Sequence, residues 1–268
     1  MIEVNGLTKL YGDFAAVTDL SFSVRPGDLL GLVGPNGAGK TSTLRCLAGI
    51  IPPTRGTVRI AGHLLSEDPV AAKRELAFFS DEPRLFDYLT VEQHLQFTAR
   101  IYQVREVSRL IPPLLADLEL TDKAHLLPGE LSRGMKQKVQ IACGLLHSPR
   151  VVFFDEPLTG LDPLAIRRMK DTIRRLSREG AAIIISSHLL HLLEELCTHV
   201  LMLRRGIKVA HGTLEQVRSH FGGQGLDSSL EDVFVRIAME MDPATTKGAD
   251  EVSVAHPPSM PPTLGQGD

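Results

Sequence analysis

The sequence is short of cysteine, of long apolar runs and of surplus positive charge, and each shortage excludes something. Its 268 residues include only Cys46, Cys143 and Cys197, far apart and odd in number. That argues against a disulfide framework or a zinc site and for a reducing compartment. All three are expected as small buried apolar side chains. No apolar run approaches the roughly 18 residues that a membrane-spanning helix needs. The opening "MIEVNGLTKLYG" lacks the basic-then-apolar layout of a signal peptide. The formal net charge of -3 supplies no global field for nucleic acid or an anionic membrane, so an anionic ligand must be held by local groups. What is present is a globular composition, 43% hydrophobic and 23% charged, which predicts a packed core.

Strand-like runs recur at "LSFSV" (20–24), "LLGLV" (29–33), "TVRI" (57–60), "LAFFS" (76–80), "VVFFD" (151–155), "AIIIS" (182–186) and "VLML" (200–203). The last few are continuously apolar, as strands buried on both faces of a parallel sheet are. Helical spacing links Ile166, Met169, Ile173 and Leu176, with Asp162 as cap and Pro163 in the first turn. Met135, Val139, Ala142 and Leu146 make a second stripe. Alternating strand and helix predict an α/β layered fold. Residues 84 to about 145 read as helices only, an insert between two halves of the sheet. A last helix is expected at about 228–241, where Ser228 and Glu231 have capping-box spacing. The Pro-, Gly-, Ser- and Thr-rich remainder, 242–268, is expected to be a disordered tail.

"GPNGAGKT" follows the apolar run 29–33 and precedes a helical run carrying Leu44, Leu47 and Ala48. Strand, Gly-rich loop and helix in that order make a phosphate-binding loop. Gly34, Gly37 and Gly39 let backbone amides turn inward, and the helix start behind them adds partial positive charge. Lys40 is placed to reach the β- and γ-phosphates, and the Thr41 hydroxyl to ligate Mg²⁺. Guanine-specific enzymes of this class carry Asn-Lys-x-Asp. The two asparagines, Asn5 and Asn36, do not precede lysine, so the expected nucleotide is ATP.

Two apolar runs end in Asp-Glu-Pro: "LAFFSDEP" and "VVFFDEP". The second comes after the phosphate loop, in the order by which phosphate-loop NTPases bring a carboxylate to the metal. Asp155 is the expected Mg²⁺ ligand, through water, and Glu156 the group that polarises the attacking water.

The motifs "YG" (11–12), "GPNGAGKT" (34–41), "LSRGMKQKV" (131–139), "FFDEPLTGLDP" (153–163) and "SSH" (186–188), in this order, resemble ATP-binding cassette (ABC) ATPases over residues 1 to about 240. "LSRGMKQK" and the later "SLEDVF" resemble the ATPase subunits of bacterial exporter-type transporters. The resemblance implies a P-loop NTPase with a RecA-like, mostly parallel sheet, a helical insert and an N-terminal antiparallel β portion, with residues 1–241 as one nucleotide-binding domain. It implies Mg-ATP hydrolysis at the interface of a head-to-tail dimer. The partner is a second copy, with a different subunit as the alternative. ATP would lie against Tyr11, which stacks on adenine, and against Gly34, Pro35, Asn36, Gly37, Ala38, Gly39, Lys40, Thr41 and Ser42. Ser132 and Gly134 would aim helix-start amides at the γ-phosphate of the partner's ATP. His188 would hydrogen-bond the γ-phosphate, and Asp162 lies in the "GLDP" that crosses the interface.

The first Asp-Glu-Pro stretch resembles the one where the family carries a glutamine that touches Mg²⁺ and water. Here that position is Asp81. Asp81 can offer an oxygen to Mg²⁺ and is the third expected metal ligand, but it is shorter, adds negative charge and donates no hydrogen bond when ionised, so hydrolysis slower than in a glutamine version, or Mg²⁺ held differently, is expected. Arg133 and Met135 also replace a usual glycine and glutamine, and the latter puts a ribose contact in doubt. The leading expectation is a cytoplasmic ATPase subunit held at the inner membrane face by a separate permease. That permease would dock on the helical insert and residues 81–90. Two readings stand beside it. One is an ATP-binding subunit that dimerises but hydrolyses poorly. The other is a soluble ABC ATPase of nucleic acid or the ribosome, against which stand the single cassette, the short insert and the acidic balance. No nucleic-acid partner is expected.

Overall fold

The computed structural model describes residues 1–159, 162–221 and 229–240. The tail expected at 242–268 lies outside the described residues, as do Gly160, Leu161 and Ser228.

Two sheets organise the described residues. The first is antiparallel, in the order β2 (Phe14–Val24), β1 (Ile2–Tyr11), β4 (Arg55–Ile60), β5 (His63–Leu64). The second runs β10 (Ile207–Thr213), β9 (His199–Arg204), β3 (Leu29–Val33), β8 (Ala182–Ser186), β7 (Val151–Asp155), β6 (Leu76–Phe79). Its strands β9 to β6 are parallel, and β10 closes one edge antiparallel. Every residue of β3, β7 and β8 is buried, which is why these runs carry no polar alternation. Alternate side chains feed two cores. Val152, Phe154, Ile183 and Ile185 pack on one face, while Val151, Phe153, Ala182 and Ile184 pack on the other, against the first sheet and α1 (Lys40–Leu47).

Helix α2 (Pro69–Arg74) leads into β6. Then come three helices, α3 (Val91–Tyr102), α4 (Val107–Asp117) and α5 (Arg133–Leu145), around a core of their own that includes Leu95, Leu115, Val139 and Ala142. Helix α6 (Pro163–Arg178) is capped as expected, the Ala165 amide donating to the Asp162 carboxylate at 2.8 Å. Helices α7 (Leu190–Leu196), α8 (Leu214–Phe221) and α9 (Leu230–Glu240) complete the described chain.

The structure refines the sequence reading in several places. The strand-like runs omit β5 and β10, and also β1, which supplies part of the antiparallel portion that the resemblance implies. The apolar alternation of β1, Ile2 and Val4, breaks at a register shift around Gly6 (φ 60°) before resuming at Leu7. "LSFSV" is the end of the eleven-residue β2, not a strand of its own. The cap of α9 lies one residue later than expected: Ser229 and Asp232 each accept the other's backbone amide, at 3.1 and 2.9 Å. Among the described residues no helix is long and apolar enough to cross a membrane.

Candidate functional site

The loop 34–39 leaves β3 and enters α1 under tight steric constraint. A Cβ on Gly34 would lie 2.4 Å from the Leu203 carbonyl oxygen. One on Gly39, at φ 101°, would lie 2.4 Å from that of Ala16. Only glycine lets the loop sit against β9 and β2 at these points. Pro35, Asn36 and Gly37 form the exposed tip, Ala38 is buried, and Thr41 and Ser42 are half-buried on the first turn of α1. That turn has neither an acidic residue nor a side-chain cap, which leaves its amides to an anion. Lys40 folds back under the loop, its Nζ donating to the carbonyls of Gly34 (2.6 Å) and Pro35 (3.3 Å). Burial lowers its pKa, opposed by the charges of Glu156 and Asp155.

The carboxylates enter from the neighbouring strand ends. Asp155 ends β7 and lies in register with Ser186 of β8. The Ser186 hydroxyl donates to Asp155 Oδ1 at 2.6 Å, and the Thr41 hydroxyl to the same oxygen at 3.4 Å. Burial raises the Asp155 pKa, the two hydroxyls pull it down, and the charges of Asp81 and Glu156 push it up. Glu156 takes a left-handed turn, φ 52°, rare for a non-glycine residue and held here by its amide donating to the Ser186 carbonyl at 3.1 Å. Its Oε2 accepts from the His188 amide at 3.3 Å and the Thr159 hydroxyl at 3.4 Å, and lies 2.8 Å from His188 Nδ1. Lys40, Thr41, Asp155, Glu156 and His188 thus meet at the carboxyl ends of β3, β7 and β8, where open α/β sheets bind ligands.

Asp81 lies two residues beyond β6, the neighbour of β7. Its charge is felt at Asp155, but its own Oδ1 accepts the Glu82 amide at 2.8 Å. Tyr11 ends β1, half-exposed, with Lys9 Nζ 5.1 Å from its ring centroid. It shares its hairpin with Ala16, whose carbonyl abuts Gly39. Ser132 caps α5, its Oγ accepting the Met135 amide at 3.3 Å. With Gly134 and Asp162 it lines a separate cleft of about 400 Å³. Among the described residues no hydrogen bond joins Ser132 or Gly134 to the 34–41 loop. Ser186 and Thr159 carry contacts to the two carboxylates that sequence reasoning missed. The register of β7 with β8 is what brings Ser186 in, and no local signal encodes it.

A divalent cation fits these donors. Thr41 and Asp155 offer hard oxygen ligands beside the 34–39 loop. Such a pair suits a Mg²⁺ that keeps waters and takes phosphate oxygens.

The family model described as ABC transporter matches residues 17–159. The chain is 33% identical over 242 residues to the ABC-type transporter ATP-binding protein EcsA of Bacillus subtilis, covering 90% of this chain and 97% of that protein. It is 36% identical over 213 residues to the Nod factor export ATP-binding protein I of Paraburkholderia xenovorans, covering 79% and 70%. A solved structure of an ATP-binding subunit of an ABC transporter superposes with a TM-score of 0.84 at 35% identity, covering 89% of this chain and 99% of that one.

Proposed function

The chain belongs to the ABC transporter family as an ATP-binding ATPase subunit, and on that premise we propose that it is the motor of a bacterial exporter. Two copies would close head to tail on two ATP molecules and drive a separate membrane permease. The observation that carries this reading is the meeting of the phosphate loop, Asp155, Glu156 and His188 at one sheet edge. Lys40 would exchange loop carbonyls for phosphate oxygens. Thr41 and Asp155 would hold Mg²⁺, which neutralises phosphate charge. Glu156 would polarise the attacking water, and His188 would contact the γ-phosphate. Tyr11 would stack on adenine, at roughly 1–3 kcal/mol by analogy with base–aromatic stacking. Ser132 and Gly134, which lie apart from the chain's own loop, suit a role against the partner's nucleotide. Export is supported by the Nod factor export relative.

The permease would dock on the surface around residues 81–90. Phe86, Tyr88, Phe97 and Ile101 are exposed there, and Phe86 packs edge-on to Phe97 with ring centroids 5.2 Å apart. Buried His94 holds this loop on α3, its Nε2 accepting the Phe86 amide at 2.9 Å. Residues 1–241 would form one nucleotide-binding domain at the inner membrane face. The test is fractionation after co-expression with the permease. Wild type should move to the membrane fraction, and a Phe86→Ser/Tyr88→Ser variant should stay behind while hydrolysing ATP in solution. Equal distribution with and without the permease would count against the motor reading.

A further inference from the structure

Helix α5 does more than present Ser132 and Gly134. Five residues past its cap, Gln137 is buried and its Nε2 donates to the Pro157 carbonyl at 2.7 Å. Pro157 directly follows Glu156, the residue in the left-handed turn. That turn is therefore fixed on both sides, by Ser186 at the Glu156 amide and by Gln137 at the next carbonyl. Proline's fixed φ stiffens the link between the two. A turn at positive φ persists only where its surroundings over-determine it, and the Gln137 bond falls on the residue directly after this one. The same helix reaches the other Asp-Glu-Pro turn. Gln140 Nε2 donates to the Ser80 hydroxyl at 3.2 Å, and that hydroxyl donates to the Glu82 carbonyl at 2.7 Å. One helix thus touches both acidic strand ends and opens with Ser132 and Gly134, which among the described residues make no hydrogen bond to the chain's own 34–41 loop.

We propose that Gln137 is a positioning residue for hydrolysis. It ties the helix headed by Ser132 and Gly134 to the turn that aims Glu156, so that engagement of the helix start by nucleotide on a second copy of the chain is transmitted to this copy's own carboxylate. The inference rests on the reading of Glu156 as the group that polarises water. A buried amide hydrogen bond suits such transmission because it is directional and costly to leave unmade.

The test uses the full chain with Gln137→Met, which keeps the volume and removes the donor. ATP hydrolysis is measured against ATP concentration, with bound nucleotide per chain and the thermal midpoint measured in parallel. The expected result is a fall in kcat per bound nucleotide of about 10- to 100-fold, the cost of slight misplacement of a reacting group. KM should stay near wild type, and the Hill coefficient for ATP should fall toward one. A loss of packing alone would lower the thermal midpoint and the bound fraction without moving kcat per bound nucleotide or the Hill coefficient. Gln137→Asn, which keeps the amide one methylene short of Pro157, should shift both in the same direction by less, and serves if the Met variant does not fold. Wild-type kcat per bound nucleotide and Hill coefficient in a folded variant would overturn the proposal. Glu156→Gln, run alongside, separates the two levels: if it hydrolyses normally, the reading of Glu156 fails; if it is inactive while Gln137→Met is normal, only the role of Gln137 fails.

Discussion

His188 Nδ1 lies 2.8 Å from Glu156 Oε2, and the His188 amide donates to the same oxygen at 3.3 Å. One residue therefore touches the carboxylate twice, from backbone and ring. The ring is more than half exposed, so it is free to turn without leaving a buried group unpaired. His188→Ala keeps the amide contact and removes the ring. It should lower kcat by about 10²-fold, the lower range for a positioned acid–base group, with KM for ATP little changed. A loss of ATP binding of the same size as the loss of kcat would show that the ring belongs to the binding site alone.

Asp81 adds a negative charge that raises the pKa of Asp155, yet its own carboxylate is occupied by the Glu82 amide. Removing that charge should favour ionised Asp155 and free the loop for an amide donor. Asp81→Gln is expected to raise kcat several-fold at saturating Mg²⁺. Slower hydrolysis, with a higher Mg²⁺ requirement, would mean that Asp81 is itself a working ligand.

His147 should make the fold acid-sensitive. Its ring stacks on Tyr102 with centroids 3.8 Å apart, its Nε2 lies 3.2 Å from the Leu76 carbonyl, and its Nδ1 is buried with no partner among the described residues. Burial lowers its pKa, because protonation would place charge on that unpartnered nitrogen. The folded state then binds fewer protons than the unfolded chain between the lowered value and about 6.5, the ordinary histidine pKa. This contribution to stability is full above about 6.5 and is lost as pH falls through the folded-state value. Thermal unfolding of His147→Phe from pH 7.5 to 5 should show a flatter decline than wild type. Parallel profiles would contradict the assignment.

Gly144 sets how closely α5 approaches β6. A Cβ there would lie 2.3 and 2.5 Å from ring atoms of Phe79, and Phe79 is buried and stacked on Phe154 at 4.8 Å. The ring has nowhere to go, so Gly144→Ala should destabilise by about 1–3 kcal/mol through overpacking. Denaturant unfolding would show this as a lower midpoint, with ATP affinity unchanged. An unshifted midpoint would mean that the helix moves aside freely.

The parts legible in the sequence were those written in consecutive residues. The runs at 29–33, 151–155 and 182–186 coincide with β3, β7 and β8 because strands buried on both faces need no polar alternation. The place of residues 34–39 between β3 and α1, and of Asp155–Glu156 at the end of β7, was readable for a similar reason, each being a short motif beside such a strand. What was missed depends on contacts between distant segments. Ser186 reaches Asp155 only through the pairing of β7 with β8. Gln137 lies off the apolar stripe of α5, so its spacing predicts an exposed polar residue, yet it is buried because the Pro157 carbonyl meets it there. The paired Asp-Glu-Pro stretches show both sides of this. Sequence alone made Asp81 the odd one out, but only the parallel register of Phe79 with Phe154 puts the two turns side by side.

The most direct measurement is steady-state Mg-ATP hydrolysis by wild type and Glu156→Gln, with ATP binding measured on the same preparations. The predicted result is a loss of at least about 100-fold in kcat, the effect of removing a general base, with nucleotide still bound by the loop and Lys40. Hydrolysis by Glu156→Gln within a few-fold of wild type would contradict the placement of the reaction at the end of β7.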